Sequence, residues 1–393
     1  MKRIINVGGF HIDKLQRQLV NEVLKSERLS YGPMTEEFEK QWAKLHNVKY
    51  ALFCNSGTSA LQVALHALKQ KYGWKDGDEV IIPATTFVAT MNIVLHNNLK
   101  PVFVDVEGDY FNIDPDKIEE AITDRTRAII PVHLLGQPAQ MDKIMKLARK
   151  YHLRVLEDSC ETVASTYAGR PVGSWGDVAC FSTYASHLVV TGVGGFATTD
   201  NSDLAVRIKG LYNHGRDGIY NSIDDNKKGV QIMKSRFNFI HSGYSYRLTE
   251  LESALGIGHL KRFKKELKQR EKNAKYLIKN LRFLEEDMGM IQLPKIHPKA
   301  THSWMLFPIV LSKNIDKEQF KIYLEEHGVM TRDMMPLLNQ PYVREMFGEN
   351  IADKFPVSKH LLEHAFLIGI HQDLTKEDLD HIAKTIYWPF TQV

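Results

Sequence analysis

Along the first two-thirds of the chain, short apolar runs alternate with stretches whose apolar positions recur at helical spacing. The runs at 50–54, 79–83, 101–106, 128–132, 153–157, 178–182 and 195–199 predict strands. The intervening segments 59–68, 87–96, 115–122 and 141–151 predict helices. Strands that alternate with helices imply βαβ units, hence an α/β fold with a mostly parallel central sheet flanked by helices. On such sheets ligands gather at the carboxyl ends of the strands.

The pattern then changes. From about residue 247 to 281 the chain shows one long, highly charged helical repeat carried by Leu248, Leu251, Leu255, Ile257 and Leu260, suited to a connector between domains. Its basic run Lys261-Arg262-Phe263-Lys264-Lys265 reads as a solvated face before it reads as a binding patch. After Pro294 come a strand at 303–311, a helix at 317–327, a further strand and a final helix at 375–386, the pattern of a small α+β domain. The expected division is an N-terminal segment 1–30, a large domain 31–250, and a connecting helix with a smaller C-terminal domain over 251–393.

Composition narrows the function classes. The 393 residues exceed what a single core usually organises, and 43% hydrophobic with 25% charged residues is ordinary globular composition. A formal charge of +4, from 51 basic and 47 acidic residues, is too weak and dispersed to argue for nucleic acid. The N-terminus Met1-Lys2-Arg3-Ile4-Ile5-Asn6 turns polar too soon for a signal peptide, and no apolar run is long enough to span a membrane. A cytoplasmic protein with no membrane partner is expected. Cys54, Cys160 and Cys180 are far apart, form no CxxC, and read as small buried hydrophobes, not as ligands to a metal or an iron–sulfur cluster.

Three strand-to-helix junctions carry candidate chemistry. Asn55-Ser56-Gly57-Thr58-Ser59 follows a strand and opens a helix, so Ser56, Gly57 and Thr58 suit a phosphate: hydroxyls, a close-approach glycine and outward helix N–H groups. An ordinary serine cap is the alternative. Asp158 ends the run Arg154-Val155-Leu156-Glu157-Asp158, where a carboxylate can hold a ring nitrogen protonated, or can be an exposed turn residue. Phe87, in Pro83-Ala84-Thr85-Thr86-Phe87, can stack on an aromatic ring or pack in the core, and sequence alone leans slightly to the core.

These junctions recur in the order known for pyridoxal phosphate (PLP) enzymes of fold type I. The segment Phe181-Ser182-Thr183-Tyr184-Ala185-Ser186-His187-Leu188-Val189-Val190-Thr191-Gly192-Val193-Gly194-Gly195 resembles the stretch around the cofactor-bearing lysine of the DegT/DnrJ/EryC1/StrS sugar aminotransferases, with His187 in the lysine's place. Gly243-Tyr244-Ser245-Tyr246-Arg247 resembles the family's GYNYR motif. His302-Ser303-Trp304-Met305-Leu306-Phe307-Pro308, Thr331-Arg332, Asn339-Gln340-Pro341-Tyr342 and Phe366-Leu367-Ile368-Gly369-Ile370-His371 resemble elements of the family's histidine-bearing 4-keto-6-deoxysugar 3-dehydratases. Two departures stand out: Val193 replaces the glutamate common in T-G-E-G-G, and Ser245 replaces the asparagine of GYNYR.

The resemblance implies a fold type I aminotransferase architecture, PLP and pyridoxamine phosphate (PMP) as cofactor, and a homodimer with shared active sites. It implies that Ser56, Gly57, Thr58, Ser182 and Ser245 contact the phosphate, the last across the dimer interface. It places Phe87 on the ring, Asp158 at the ring nitrogen, Glu161 near the cofactor, and Arg247, Arg332 and His214 as candidate substrate contacts. The implied activity is removal of the C3 oxygen from a nucleotide-linked 4-keto-6-deoxyhexose, with L-glutamate regenerating PMP and His187 moving protons. Members acting on CDP-sugars carry a cysteine-ligated cluster; three scattered cysteines favour the cluster-free, GDP-mannose-type branch. Two rivals remain open: an aminotransferase whose lysine was lost naturally or by engineering, and a catalytically silent protein of the same fold.

Overall fold

The computed structural model describes residues 4–217 and 237–391, so Met1–Arg3 of the N-terminal stretch read above lie outside the described residues. The strands of the first part are β1 (Tyr50–Cys54), β2 (Glu79–Pro83), β3 (Lys100–Val104), β4 (Thr126–Ile129), β5 (Arg154–Asp158), the short hairpin β6 (Thr166–Tyr167) and β7 (Arg170–Pro171), β8 (Val178–Ser182) and β9 (Gly195–Thr199). The helices are α1 (Lys14–Ser26), α2 (Pro33–His46), α3 (Gly57–Tyr72), α4 (Val88–His96), α5 (Pro115–Ile118), α6 (Met141–Lys150) and α7 (Ser202–Tyr212). Seven strands form one sheet in the order β1-β9-β8-β5-β4-β2-β3. Only β9 runs antiparallel to its neighbours, so the sheet is mostly parallel, as the alternation requires.

Both faces of this sheet are covered. On one, α3 buries Leu61, Val63, Ala64, Leu65 and Leu68 and is surrounded on nearly all sides. The other holds an aromatic cluster in which the rings of Trp42 and Phe196 stack 4.3 Å apart and Phe38 meets Phe53 edge-on at 4.9 Å. Helices α1 and α2, which the alternation did not single out, supply part of that cover; Asp13 closes a capping box on α1. Helix α2 lacks a side-chain cap of its own. The carboxylate of Glu250 accepts the amides of Gly32, Met34 and Thr35 at 2.9, 2.8 and 2.9 Å, occupying the free N–H groups of its first turn.

The long helix runs from Glu250 to Glu286, starting at the capping box of Thr249 and Glu252. It leads into a second, antiparallel sheet in the order β10-β11-β13-β12, with β10 at Ile291–Gln292, β11 at Phe307–Leu311, β12 at Thr331–Asp333 and β13 at Ala365–Ile368. The strand expected to start at Ser303 starts at Phe307 instead. Trp304 takes a left-handed φ of 53°, and the Ser303 amide donates to the Gly136 carbonyl at 2.9 Å, so this stretch is tied to the large sheet's loops and cannot pair in the small one. Helix 115–122 likewise divides into α5 and a 3-10 turn over Glu119–Ala121.

Candidate active site

The carboxyl ends of β1, β2, β5 and β8 meet at one edge of the large sheet. There Ser56 is the N-cap of α3, its hydroxyl accepting the Ser59 amide at 3.0 Å, so the capping alternative is realised; Thr58 stays exposed on the first turn. The glycines around this turn are required by space. A Cβ on Gly57 would stand 2.8 Å from Cys160 Sγ and 2.9 Å from Ser182 Cβ, and one on Gly195 would stand 2.4 Å from the Gly57 nitrogen. Ser182, buried at the end of β8, therefore borders the same loop, with its hydroxyl accepting the Tyr184 amide at 3.3 Å.

Asp158 is buried at the end of β5. One carboxylate oxygen accepts the Thr90 hydroxyl at 2.8 Å and the other the Cys160 amide at 3.2 Å, while no lysine or arginine pairs with it among the described residues. Burial pushes the pKa of its carboxyl above the ordinary value, and the Cys160 and Thr90 hydrogen bonds act against that. A buried carboxylate without a cation is an incomplete pair, and a protonated ring nitrogen would complete it. Behind it, on the opposite face of the strand, Glu157 accepts from His133 Nε2 at 3.1 Å and from the amides of Gly173, Trp175 and Gly176, which fixes the strand end.

Glu161 follows within the same turn. Its Oε2 accepts the Leu135 amide at 2.8 Å, and burial pushes its carboxyl up to about 7, with Asp158 adding to the rise. Phe87 precedes α4 and is 59% exposed, so it is not a core residue; its ring stands free at the mouth of the same edge. His187 is half-buried. Its Nδ1 lies 2.6 Å from the Cys160 carbonyl oxygen, which can only accept, so Nδ1 carries the proton and Nε2 keeps its lone pair. Burial lowers its basicity below the usual imidazole value, opposed by the Cys160 hydrogen bond, so the ring is neutral at pH 7.

A second group assembles beside the first. Asn213 and Ser245 face each other in an antiparallel bridge, and Arg247 Nη2 lies 3.1 Å from Ser245 Oγ and 3.2 Å from His214 Nε2. Ser245 and Arg247 are exposed and open on a cavity of about 530 Å³ that Tyr31, Lys209 and Tyr212 also line. Among the described residues no hydrogen bond joins this group to Asp158 or His187; the Asn55 amide links it to the start of α3 by donating to the Tyr246 carbonyl at 2.9 Å. Arg332 lies apart on β12, its guanidinium donating to its neighbour's carbonyl, Thr331 O, at 2.6 Å, and the structure does not bring it to either group. Sequence reasoning passed over Thr90 and Thr86, whose hydroxyls lie 2.8 Å apart; their spacing of four across the start of α4 was the available signal. The Cys160 carbonyl carried no signal at all.

The arrangement fits PLP: an amide-lined helix start that only glycine permits, an exposed aromatic face, and a buried carboxylate lacking its cation. Comparison with known proteins agrees. The chain is 31% identical to GDP-perosamine synthase of Caulobacter vibrioides over 97% of both chains. It is 32% identical to dTDP-4-dehydro-2,6-dideoxy-D-glucose 3-dehydratase of Saccharopolyspora spinosa, covering 97% of this chain and 86% of that one. Among solved structures, Escherichia coli GDP-4-keto-6-deoxy-D-mannose-3-dehydratase with bound hydrated PLP superposes with a TM-score of 0.88 at 26% identity, over 98% of this chain and 100% of that one. The protein is therefore an enzyme of fold type I that uses PLP or PMP. Residues 11–387 match the DegT/DnrJ/EryC1/StrS aminotransferase family, and the chain belongs to it.

Proposed function

We propose that this enzyme is a 3-dehydratase of the histidine-for-lysine branch, removing the C3 oxygen of a nucleotide-linked 4-keto-6-deoxyhexose. One observation carries the reading. In the slot that the sequence resemblance gives to the lysine, His187 has Nδ1 tied to the Cys160 carbonyl and no hydrogen-bond partner at Nε2 among the described residues, which suits a neutral base that cannot hold the cofactor covalently. In the net reaction the sugar loses its C3 oxygen while glutamate is oxidised to 2-oxoglutarate and ammonia. The bound cofactor supplies the amino group and an electron-accepting ring.

The remaining work belongs to the chain. Asp158 holds the ring nitrogen protonated, Phe87 covers the ring face, and Ser56, Gly57, Thr58 and Ser182 cradle the phosphate. His187 Nε2 would be the base that accepts the proton given up where cofactor and substrate meet. Glu161, partly in its acid form near neutral pH, delivers a proton to the departing hydroxyl. Ser245, with Arg247 and His214, faces outward and reaches the active site of a second copy, and Arg332 serves substrate only if the small domain brings it closer. Sedimentation of an active monomer would overturn the shared-site part of this reading.

A second reading is favoured by the likeness to a GDP-perosamine synthase: an aminotransferase whose lysine has been lost. The discriminating experiment incubates the protein with PLP, L-glutamate and a panel of nucleotide-linked 4-keto-6-deoxyhexoses, with products read by mass. Loss of oxygen with ammonia release supports dehydration. A 4-amino sugar, or no turnover of any panel member, contradicts it.

A further inference from the structure

Beyond residue 260 the long helix Glu250–Glu286 buries one side only. Phe263, Arg270, Ala274, Leu277, Leu281 and Leu284 are buried along it. At about 100° per residue these share one face, and Lys261, Lys265, Lys268, Lys272, Lys275 and Lys279 recur at alternating spacings of four and three on the opposite face, all exposed. Arg282 continues the row, which extends over about 30 Å at the helical rise.

The row is short of anions. Lys275 pairs with Glu271 at 2.6 Å and Arg282 approaches Glu286 at 3.7 Å, but Lys261, Lys265, Lys268, Lys272 and Lys279 have no ion-pair partner among the described residues. Of the exposed lysines elsewhere, Lys143, Lys359 and Lys376 pair with Asp116, Asp353 and Asp380, while Lys14, Lys25 and Lys146 are exposed without an ion-pair partner among the described residues but stand singly; what sets the helix apart is that its lysines form one continuous row. Within the basic run, Arg262 is held by Asp13 and Glu266 and Phe263 is buried, so the row is made of the lysines that remain. Like charges three and four residues apart disfavour a helix, and the arrangement weakens this one unless an external anion meets it.

The other end of the row is apolar. Phe283 and Trp388 are 48% and 59% exposed, and the Phe283 ring lies 6.3 Å from that of Tyr387, next to Trp388. We propose that this lysine face docks the protein on an anionic lipid surface, with Phe283 and Trp388 entering the headgroup layer. The row is exposed and long, which suits a broad charged plane and not a pocket ligand, and aromatic rings flanking cations are suited to the boundary between water and lipid. The expectation of no membrane partner rested on the lack of a spanning run. No helix among the described residues can cross a membrane, and surface docking needs none.

The test sediments the PLP-loaded full chain with vesicles of phosphatidylcholine alone or of phosphatidylcholine mixed with phosphatidylglycerol. Binding to the anionic vesicles only, weakening as salt rises, is expected. K265E/K268E/K272E should lower partitioning at least about tenfold without altering turnover, and Phe283→Ser with Trp388→Ser should remove the part that survives salt. If the charge-reversed protein folds poorly, the glutamine trio at the same positions should still weaken binding. Equal binding to both vesicles, unchanged binding of the charge variants, or binding to duplex DNA without binding to vesicles would overturn the proposal.

Discussion

His187 donates its Nδ1 proton to the carbonyl oxygen of Cys160 over 2.6 Å, which turns one imidazole nitrogen into an anchor and leaves the other as a base. The same short turn does more. Asp158 lies two residues before Cys160 and Glu161 directly after it, so the chain 158–161 sets a buried carboxylate, the histidine's orientation and a second carboxyl at once. Any shift of that turn moves all three groups together.

If His187 is the working base, His187→Asn should keep the fold and the cofactor yet lose the chemical step, because an amide hydrogen-bonds but cannot take the proton. A fall in rate of about a hundredfold to ten-thousandfold is expected, read in single turnover with cofactor loading checked by absorbance. His187→Lys should instead link the cofactor covalently, visible as a mass increase after borohydride reduction. An Asn variant that works at the parental rate removes His187 from the mechanism.

How much of this was legible beforehand follows from where each signal lies. The run Tyr50–Cys54 and the runs Glu79–Pro83, Val178–Ser182 and Gly195–Thr199 show up unaltered as strands because apolar side chains on a doubly covered sheet leave a continuous mark in the chain. Asp158 and Ser56 were found because strand ends and helix starts are punctuated by residue type. Phe87 stayed open between ring stacking and core packing, since an exposed aromatic and a buried one look alike in one dimension; its exposure removes the core alternative. The expected strand was broken at Ser303 by the bond of its amide to the Gly136 carbonyl, and the Cys160 carbonyl is backbone, so neither left a trace in side-chain pattern.

The acid–base assignments give a pH profile with two limbs. Burial lowers His187 below the usual imidazole value of 6.5, so its base form is lost only as pH falls through that lower value, and rate should drop on the acid side there. Glu161 must be protonated to donate, and burial has raised it to about 7, so rate should fall again as pH rises through about 7. The expected profile of kcat/KM is a narrow bell. Glu161→Gln should abolish the alkaline limb while leaving the acid one, and an alkaline limb that persists in that variant belongs to another group.

Asp158 separates charge from shape. Asp158→Asn keeps the hydrogen bond from Thr90 available and removes the negative charge that the proposed function sets against the ring nitrogen. Thermal stability should hold or rise slightly, since a buried carboxylate without a cation is costly and an amide is less so. The conversion of PLP to PMP by glutamate should slow by at least about a hundredfold, on the scale of removing one electrostatic partner of a transition state. A calorimetric melt and a stopped-flow absorbance trace read the two effects independently. Large destabilisation with unchanged conversion would assign Asp158 to the scaffold.

Gly195 tests the phosphate loop without touching any polar group. It begins β9, and an added Cβ would stand 2.4 Å from the Gly57 nitrogen and from the carbonyl carbon and oxygen of Ser56. Backbone atoms cannot swing aside as a flexible side chain can, so Gly195→Ala must push the start of α3 away from β9. The loop's outward amides bind by geometry, and a displacement approaching 1 Å costs on the order of a hundredfold where positioning is the mechanism. We expect PLP to bind at least about tenfold more weakly in Gly195→Ala, measured by equilibrium dialysis, with a melting temperature lowered by a few degrees as the strand adjusts. Gly192→Ala is the matched control: it has open space around its Cβ position but a left-handed φ of 93°, so it should destabilise through backbone strain and leave the affinity for PLP nearly unchanged. If both variants lose PLP equally, loss of affinity reflects general loosening of the chain, and the contact between Gly195 and Ser56-Gly57 is not what shapes the phosphate site.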